Sequence, residues 1–239
     1  MKSIRTAILQ ENSDWVAINK EAGLLSIPDR EQSSPSLKDL LLREYGSIYT
    51  VHRLDRETSG VILFAKNEQS HQFLSKQFEE RSTVKKYNGL VLGKVYEAEG
   101  SIDVPIGPHP GKPGQMTVIR KGKPSITLFK TLESFSMYSW MEFTILTGRT
   151  HQIRVHMQHF GHPIVCDPYY GDGKPFLLSG IKKKFKLGKD ILEERPLLNR
   201  LGLHASSLSF TDTNGALVEL HAPLPKDLRA SLQQLEKQD

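Results

Sequence analysis

The five consecutive apolar residues Val61 to Ala65 limit what this chain can fold into more than any other feature. An unbroken apolar run of that length reads as a strand buried in a core. Directly ahead of it stand His52, Arg53, Leu54, Asp55 and Arg56, then Thr58, Ser59 and Gly60. One carboxylate is thus set among bases at the entrance to a buried strand. Three readings fit such an acid: an exposed ion pair of small energetic weight, a hydrogen-bonded carboxylate that organises the turn, or a catalytic carboxylate kept ionised by a guanidinium.

The rest of the chain supplies a mixed set of elements around that strand. Trp15 to Asn19 is a short strand candidate. Ser36 is placed to cap a helix bearing Leu37, Leu40, Leu41 and Tyr45, with Gly46 as its terminator. Asn67 caps a second helix with Phe73, Leu74 and Phe78 at helical spacing. Lys85 to Leu92, Trp140 to Leu146, Leu203 to Phe210 and Leu217 to Leu220 read as strands. Thr150 to Phe160 reads as a helix with an apolar stripe of Ile153, Met157 and Phe160, ended by Gly161. Pro225 opens a last helix with Leu228, Leu232 and Leu235 inward. Strands follow one another with few helices between, which predicts an α+β fold with a mixed, mostly antiparallel sheet flanked by helices. Gly107 to Gly122 and Gly171 to Arg200 read as surface loops. The second carries Lys182, Lys183, Lys184, Lys186 and Lys189, either a solvated face or a basic loop that grips phosphates.

Composition narrows the function classes. A chain of 239 residues can bury a core without disulfides, and its one cysteine, Cys166, excludes a disulfide framework or a multi-cysteine metal site. No signal-peptide core and no stretch of about 18 apolar residues occurs, so a soluble, cytoplasmic protein is expected. Lys and Arg number 32 against 27 acids, and the net charge of +5 suits a polyanionic partner or an ordinary basic enzyme. His151, His156, His159 and His162 cluster, but His151 and His156 are five apart and no HExxH accompanies them, so no metal is expected. The GxSxG elbow, the GxxxxGK[ST] loop and the GxGxxG fingerprint are all missing.

Five blocks, in order, carry a family resemblance. His52 to Gly60, followed by the apolar run and Ala65-Lys66, resembles the HRLDxxTSG signature of the RluA-type pseudouridine synthases. Trp15 to Lys20 with Gly23-Leu24 resembles the early lysine-bearing strand of that family. Lys86-Tyr87, with Val91 and Gly93, resembles the block that supplies its active-site tyrosine. Gly148 to His156, then Gly161, Pro163-Ile164, Asp167 and Tyr170-Gly171, resembles its GRTHQIRvH block and the segment after it. Leu203-His204-Ala205 with Leu208 and Phe210 completes the set, and the resemblance runs from about residue 10 to about residue 225.

The resemblance implies the pseudouridine synthase fold, a single catalytic domain over residues 1–239, with a central RNA-binding cleft and no N-terminal S4 domain. It implies isomerisation of uridine in ribosomal or transfer RNA without metal or cofactor. Asp55 takes the place of the catalytic aspartate, Tyr87 of the tyrosine that stacks on the target base, and Arg154 of the arginine that pairs with the aspartate. Arg53 matches an arginine that fills the space left by a flipped base. His52, Arg56, Arg149 and His151 are further expected RNA contacts, and the protein is expected to be a monomer. Two positions depart from the family pattern: Glu21 follows Lys20 where proline is usual, and Cys166 precedes Asp167 where glycine is usual. Cys166 is expected to be a small buried filler. The alternatives are an inactive RNA-binding relative and a hydrolase built on the histidine cluster.

Overall fold

A computed structural model describes residues 4–29, 31, 34–186 and 193–238; Lys189 lies outside the described residues. In chain order the elements are β1 (Ile8–Glu11), β2 (Trp15–Lys20), α1 (Leu37–Tyr45), β3 (Tyr49–Thr50), β4 (Ser59–Ala65), α2 (Glu68–Glu79) and β5 (Val84–Leu92). There follow β6 (Glu99–Asp103), β7 (Ile106–Pro108), β8 (Met116–Val118), β9 (Ile126–Ser134), β10 (Tyr138–Ile145), α3 (Gln152–His159), β11 (Leu203–Thr211), β12 (Leu217–His221) and α4 (Lys226–Glu236). They group into two compact units, one of Met1–Tyr87 with His204–Pro223, the other of Asn88–Leu203 with Leu224–Asp239.

The first unit is organised by β4. All seven of its residues are buried, as its unbroken apolar run predicts. β2 runs antiparallel to it, Trp15 opposite Ala65 and Lys20 opposite Gly60. β11 runs parallel to it, His204 opposite Ser59 and Ala205 opposite Gly60. β1 adds to β2, β12 to β11 and β3 to β4, all antiparallel. Both helix caps read from the sequence are present. Ser36 accepts from Asp39 N while the Asp39 carboxylate accepts from Ser36 N, and Asn67 Oδ1 accepts from Ser70 N.

In the second unit β10 pairs antiparallel with β9, and β9 with β6. Its core gathers Leu90, Trp140, Val165, Phe176 and Leu198 under Leu228 and Leu235 of α4. The sequence reading missed β9. In ITLFKTLES the buried side chains include Thr127 and Phe129, while Leu128 and Leu132 are exposed, so hydrophobic alternation points to the wrong face. Gly107 to Gly122 is also more than a loop, since β7 and β8 form a two-stranded ribbon within it. The helix expected over Thr150 to Phe160 is shorter and buried nearly all round, with Gln152, Arg154 and His156 inside beside Ile153 and Met157.

Candidate active site

The loop carrying Asp55 is fixed from below by its own unit. Ser26 Oγ donates to Leu54 O at 2.8 Å and accepts from Leu54 N at 3.1 Å, so the residue before the acid is held at both backbone groups. The residue after it is held as firmly. The carbonyl of Arg56 accepts from Gly23 N at 2.9 Å and from the Lys20 ammonium at 2.9 Å. Lys20 is 1% exposed and also donates to Glu21 O and Leu24 O, so one buried charge is spread over three carbonyl dipoles. Thr58 N donates to Asp55 O at 3.2 Å, closing a tight turn around the acid. Asp55 itself is half-buried.

Gly60 shows why the turn can run straight into β4. Its φ is +116°, and a Cβ built there would lie 2.1 Å from Ala205 O. No side chain fits between these two parallel strands. One residue earlier, Ser59 Oγ lies 3.0 Å from His204 Nδ1, and His204 Nε2 lies 3.2 Å from Ala222 O. A carbonyl can only accept, so Nε2 carries the proton and Nδ1 accepts from the serine. His204, with no exposed surface, is a structural bridge between β4 and β11.

Tyr87 lies at the end of the first unit on β5, 9% exposed. Burial first, and the charge of Asp55 second, raise its hydroxyl well above the ordinary phenol value. The fold thus brings Asp55 and Tyr87 into one electrostatic neighbourhood. Tyr87 keeps its proton throughout the physiological range.

The three basic neighbours of Asp55 have different surroundings. Arg53 is exposed. Arg56 is exposed, with Nε donating to Gly23 O at 3.0 Å. His52 is built into the fold. Its ring stacks on Phe78 at 4.5 Å, and Nε2 accepts from Leu63 N at 3.0 Å. Desolvation, with Lys85 second, pulls its pKa down to about 3, so it is neutral here and offers no cation to a phosphate.

Arg154 belongs to the second unit. It is buried on α3 and grips Asp167 side-on, Nε to Oδ2 at 2.7 Å and Nη2 to Oδ1 at 2.8 Å. Oδ1 of Asp167 also accepts from Tyr169 N and Tyr170 N. The guanidinium lies 5.5 Å from the Tyr169 ring and 5.0 Å from the Tyr170 ring. The sequence reading placed Asp167 in the same block as Arg154 without pairing the two. An acid thirteen residues beyond a buried arginine, ahead of a tyrosine pair, was the available signal.

The start of α3 is built with similar care. His151 precedes it at φ +56°, in the left-handed region. Its Nδ1 lies 2.7 Å from Tyr170 Oη, which also accepts from Met116 N at 2.8 Å. Gln152 was not singled out from the sequence, yet it is the hub. Its Oε1 accepts from Thr147 Oγ1 and Arg149 N, and its Nε2 donates to Ile126 O and Thr127 Oγ1. Thr127 Oγ1 then lies 2.9 Å from His156 Nδ1, and His156 Nε2 lies 3.1 Å from Val104 O. Arg149 is half-buried, its Nε on Pro124 O at 3.2 Å. Three of the clustered histidines thus meet separate partners, His162 through Nδ1 at 2.9 Å from Leu92 O. Among the described residues no group of three or more His, Cys, Asp or Glu side chains is placed to hold a metal ion. No helix among them is long and apolar enough to cross a membrane.

Cys166 is buried at φ +60°, a conformation glycine adopts without strain. That is the backbone reason for glycine being usual there. Burial pushes its thiol up to about 11, which makes it a poor nucleophile.

Residues 14–159, which take in parts of both units, match the family model described as RNA pseudouridylate synthase. A dual-specificity RNA pseudouridine synthase RluA of Vibrio parahaemolyticus is 40% identical over 212 residues, 86% of this chain and 77% of that protein. A ribosomal large subunit pseudouridine synthase D of Escherichia coli O6:H1 is 33% identical over 228 residues, 92% of this chain and 68% of that protein. Among solved structures, human RNA pseudouridylate synthase domain containing 4 superposes with a TM-score of 0.77 at 26% identity, over 98% of this chain and 95% of that one.

Proposed function

Since the chain belongs to the RNA pseudouridylate synthase family and is an RNA uridine isomerase, we propose that Asp55 is the carboxylate on which its reaction turns. The observation that carries this reading is the joint placement of Asp55 and Tyr87. The acid sits on a loop held on both sides of it, within electrostatic reach of a buried, protonated phenol. Preorganised charge of this kind lowers a barrier because nothing needs to reorient as the reaction proceeds.

The isomerisation breaks the bond from N1 of uracil to C1′ of the ribose and forms one from C5 to C1′. The proton displaced from C5 is balanced by one gained at N1. An ionised Asp55 beside C1′, C2′ or C6 acts as nucleophile or base in this sequence. Tyr87 offers a flipped uracil an aromatic face, offsetting the stacking lost when the base leaves its strand. Exposed Arg53 suits the vacated place in the stack, and Arg56, Arg149 and His151 suit backbone contacts. His52 supports β4 by stacking on Phe78 and accepting from Leu63 N through Nε2, and as a neutral group it suits an RNA contact through Nδ1. The pairing of Arg154 with the catalytic carboxylate belongs to this reading too. Asp167 fixes two of the five N–H donors of that guanidinium.

The reading includes ribosomal or transfer RNA as substrate, as the relatives' names suggest. It also includes one catalytic domain spanning residues 1–239, a cytoplasmic location and a monomer working without metal or cofactor. The test incubates bulk ribosomal and transfer RNA from a strain lacking this protein with wild type or Asp55→Asn, in the presence of a chelator. Pseudouridines are mapped as carbodiimide adducts by reverse-transcriptase stops. New stops with wild type alone are expected. Stops with Asp55→Asn as well would remove Asp55 from the chemistry, and RNA bound tightly without stops in either would favour a binding module.

A further inference from the structure

Tyr170 has no part in the proposed chemistry, yet several segments of the second unit meet on it. It is 3% exposed, its ring packed with Ile106 of β7 and Val155 of α3, and Met116 and Val118 of β8 lie against that group. Its backbone N donates to Asp167 Oδ1 at 3.1 Å. Its ring has the Arg154 guanidinium over it, 5.0 Å from the ring centre. Its hydroxyl accepts from Met116 N at 2.8 Å and lies 2.7 Å from His151 Nδ1. One residue thus touches both members of the Arg154–Asp167 pair, the β7–β8 ribbon and the start of α3.

Asp167 holds the guanidinium along one edge, through Nε and Nη2. Two coplanar bonds on one edge fix the group in its own plane and do not by themselves stop it tilting about that edge. A ring against the flat face opposes the tilt, and guanidinium planes pack well on aromatic faces. Tyr169 also lies near, at 5.5 Å, but it is 51% exposed and a poor support. Tyr170 is anchored at both ends. At the backbone end, Gly171 N and Gly173 N donate to Asp167 O at 3.0 and 3.2 Å, and a Cβ at Gly171 would lie 2.9 Å from Ile164 O, so the turn from Asp167 cannot slide. At the far end, the hydroxyl takes the N–H of Met116, which stands opposite Pro108 in the ribbon. A buried tyrosine that serves packing alone needs one partner for its hydroxyl, whereas this one meets a backbone donor of β8 and an imidazole ahead of α3.

We propose that Tyr170 is a positioning residue for the isomerisation: its ring sets the tilt of the Arg154 guanidinium, and the bonds of its hydroxyl set the ring. This rests on the reading that Arg154 pairs with Asp55, and it goes further by naming what aims the arginine. Displacing a catalytic group by about 1 Å costs on the order of 10²-fold in rate, so the smaller tilt that opens when one hydroxyl is lost should lower turnover about 10-fold.

The test follows release of tritium from uracil C5 of labelled bulk ribosomal and transfer RNA, over a series of RNA concentrations, with wild type, Tyr170→Phe, Arg154→Lys and the two combined. Tyr170→Phe keeps the ring and removes only the hydroxyl. It is expected to lower kcat about 10-fold with KM within about 2-fold of wild type, the pattern of an interaction that acts in the transition state. Added to Arg154→Lys, whose aim is already lost, it should slow turnover by less than about 2-fold more, because both changes act on one group. A role in packing alone would lower the melting temperature and leave kcat, measured well below the transition, as it was. Met116→Pro removes the same bond from the other side, in a ribbon outside the main sheet, and stands in if Tyr170→Phe fails to fold; its kcat should fall likewise. A kcat within about 2-fold of wild type in folded Tyr170→Phe, or in Met116→Pro where that variant does not fold, overturns the proposal. So does a loss from Tyr170→Phe that multiplies in full with the loss from Arg154→Lys. Arg154→Lys turning over at the wild-type rate sinks the reading of Arg154 and the role of Tyr170 with it. No tritium release by wild type sinks the isomerase reading, and the proposal falls with it.

Discussion

Replacing Asp167 by Asn tests how Arg154 is held. The Arg154 side chain is 5% exposed and that of Asp167 0%, so this ion pair is shielded from water. Asn is nearly the same size and keeps one oxygen, which can still accept from Arg154 Nη2, Tyr169 N and Tyr170 N in place of Oδ1. The other oxygen becomes an amide that points N–H groups at Arg154 Nε–H, where a 2.7 Å charge-assisted bond stood. The change takes a countercharge away from a buried guanidinium and sets donor against donor. Breaking a buried pair by removing one partner costs about 3–5 kcal/mol. For a chain of this size each kcal/mol lowers Tm by about 2–4 °C, so Asp167→Asn should melt roughly 6–20 °C below wild type. The assay is urea unfolding followed by the fluorescence of Trp140, which lies in the same unit, alongside thermal melting. Turnover is measured well below both transitions and should also fall, because the guanidinium is no longer aimed. The double variant Arg154→Met/Asp167→Leu removes both charges and should regain much of the stability while staying inactive. A loss below about 1 kcal/mol for Asp167→Asn would refute the claim that this pair is buried and uncompensated by water.

Two further predictions follow from the first unit. Gly60→Ala must accommodate a Cβ against Ala205 backbone atoms at a positive φ, and strain and overpacking together should cost about 2–5 kcal/mol; a midpoint in urea close to wild type would show that β4 and β11 separate easily. His52 has its pKa lowered from 6.5 to about 3 on folding, so the unfolded chain binds the proton more readily. The stability it contributes is fully present above about pH 6.5 and is lost as pH falls from there towards 3, with a slope of at most about 1.4 kcal/mol per pH unit. His52→Gln should flatten the dependence of stability on pH between about 6.5 and 5.5, where ordinary carboxylates are still ionised; an unchanged slope would mean that His52 is not neutral in the fold.

Wherever a local rule governs one element, the sequence was legible. Ser36 and Asn67 announced two helix starts because capping is a contact between near neighbours. The apolar run of β4 announced burial because nothing else keeps such residues from water. Gly60 was legible in the same way, since a backbone at positive φ against a neighbouring strand needs that residue type. Tertiary structure decided the rest. β9 hid because its buried Thr127 is satisfied by Gln152 and His156, partners far along the chain that periodicity does not see. The charge state of His52 was set by Phe78 and Leu63 N, which make it a neutral acceptor and lie outside its own segment. Asp167 was one residue of a resembling block until burial beside Arg154 made it a countercharge of that residue. The sequence by itself determined which groups can ionise, cap or turn. Folding determined which of them lose water and meet a partner, and that exchange sets charge state and role.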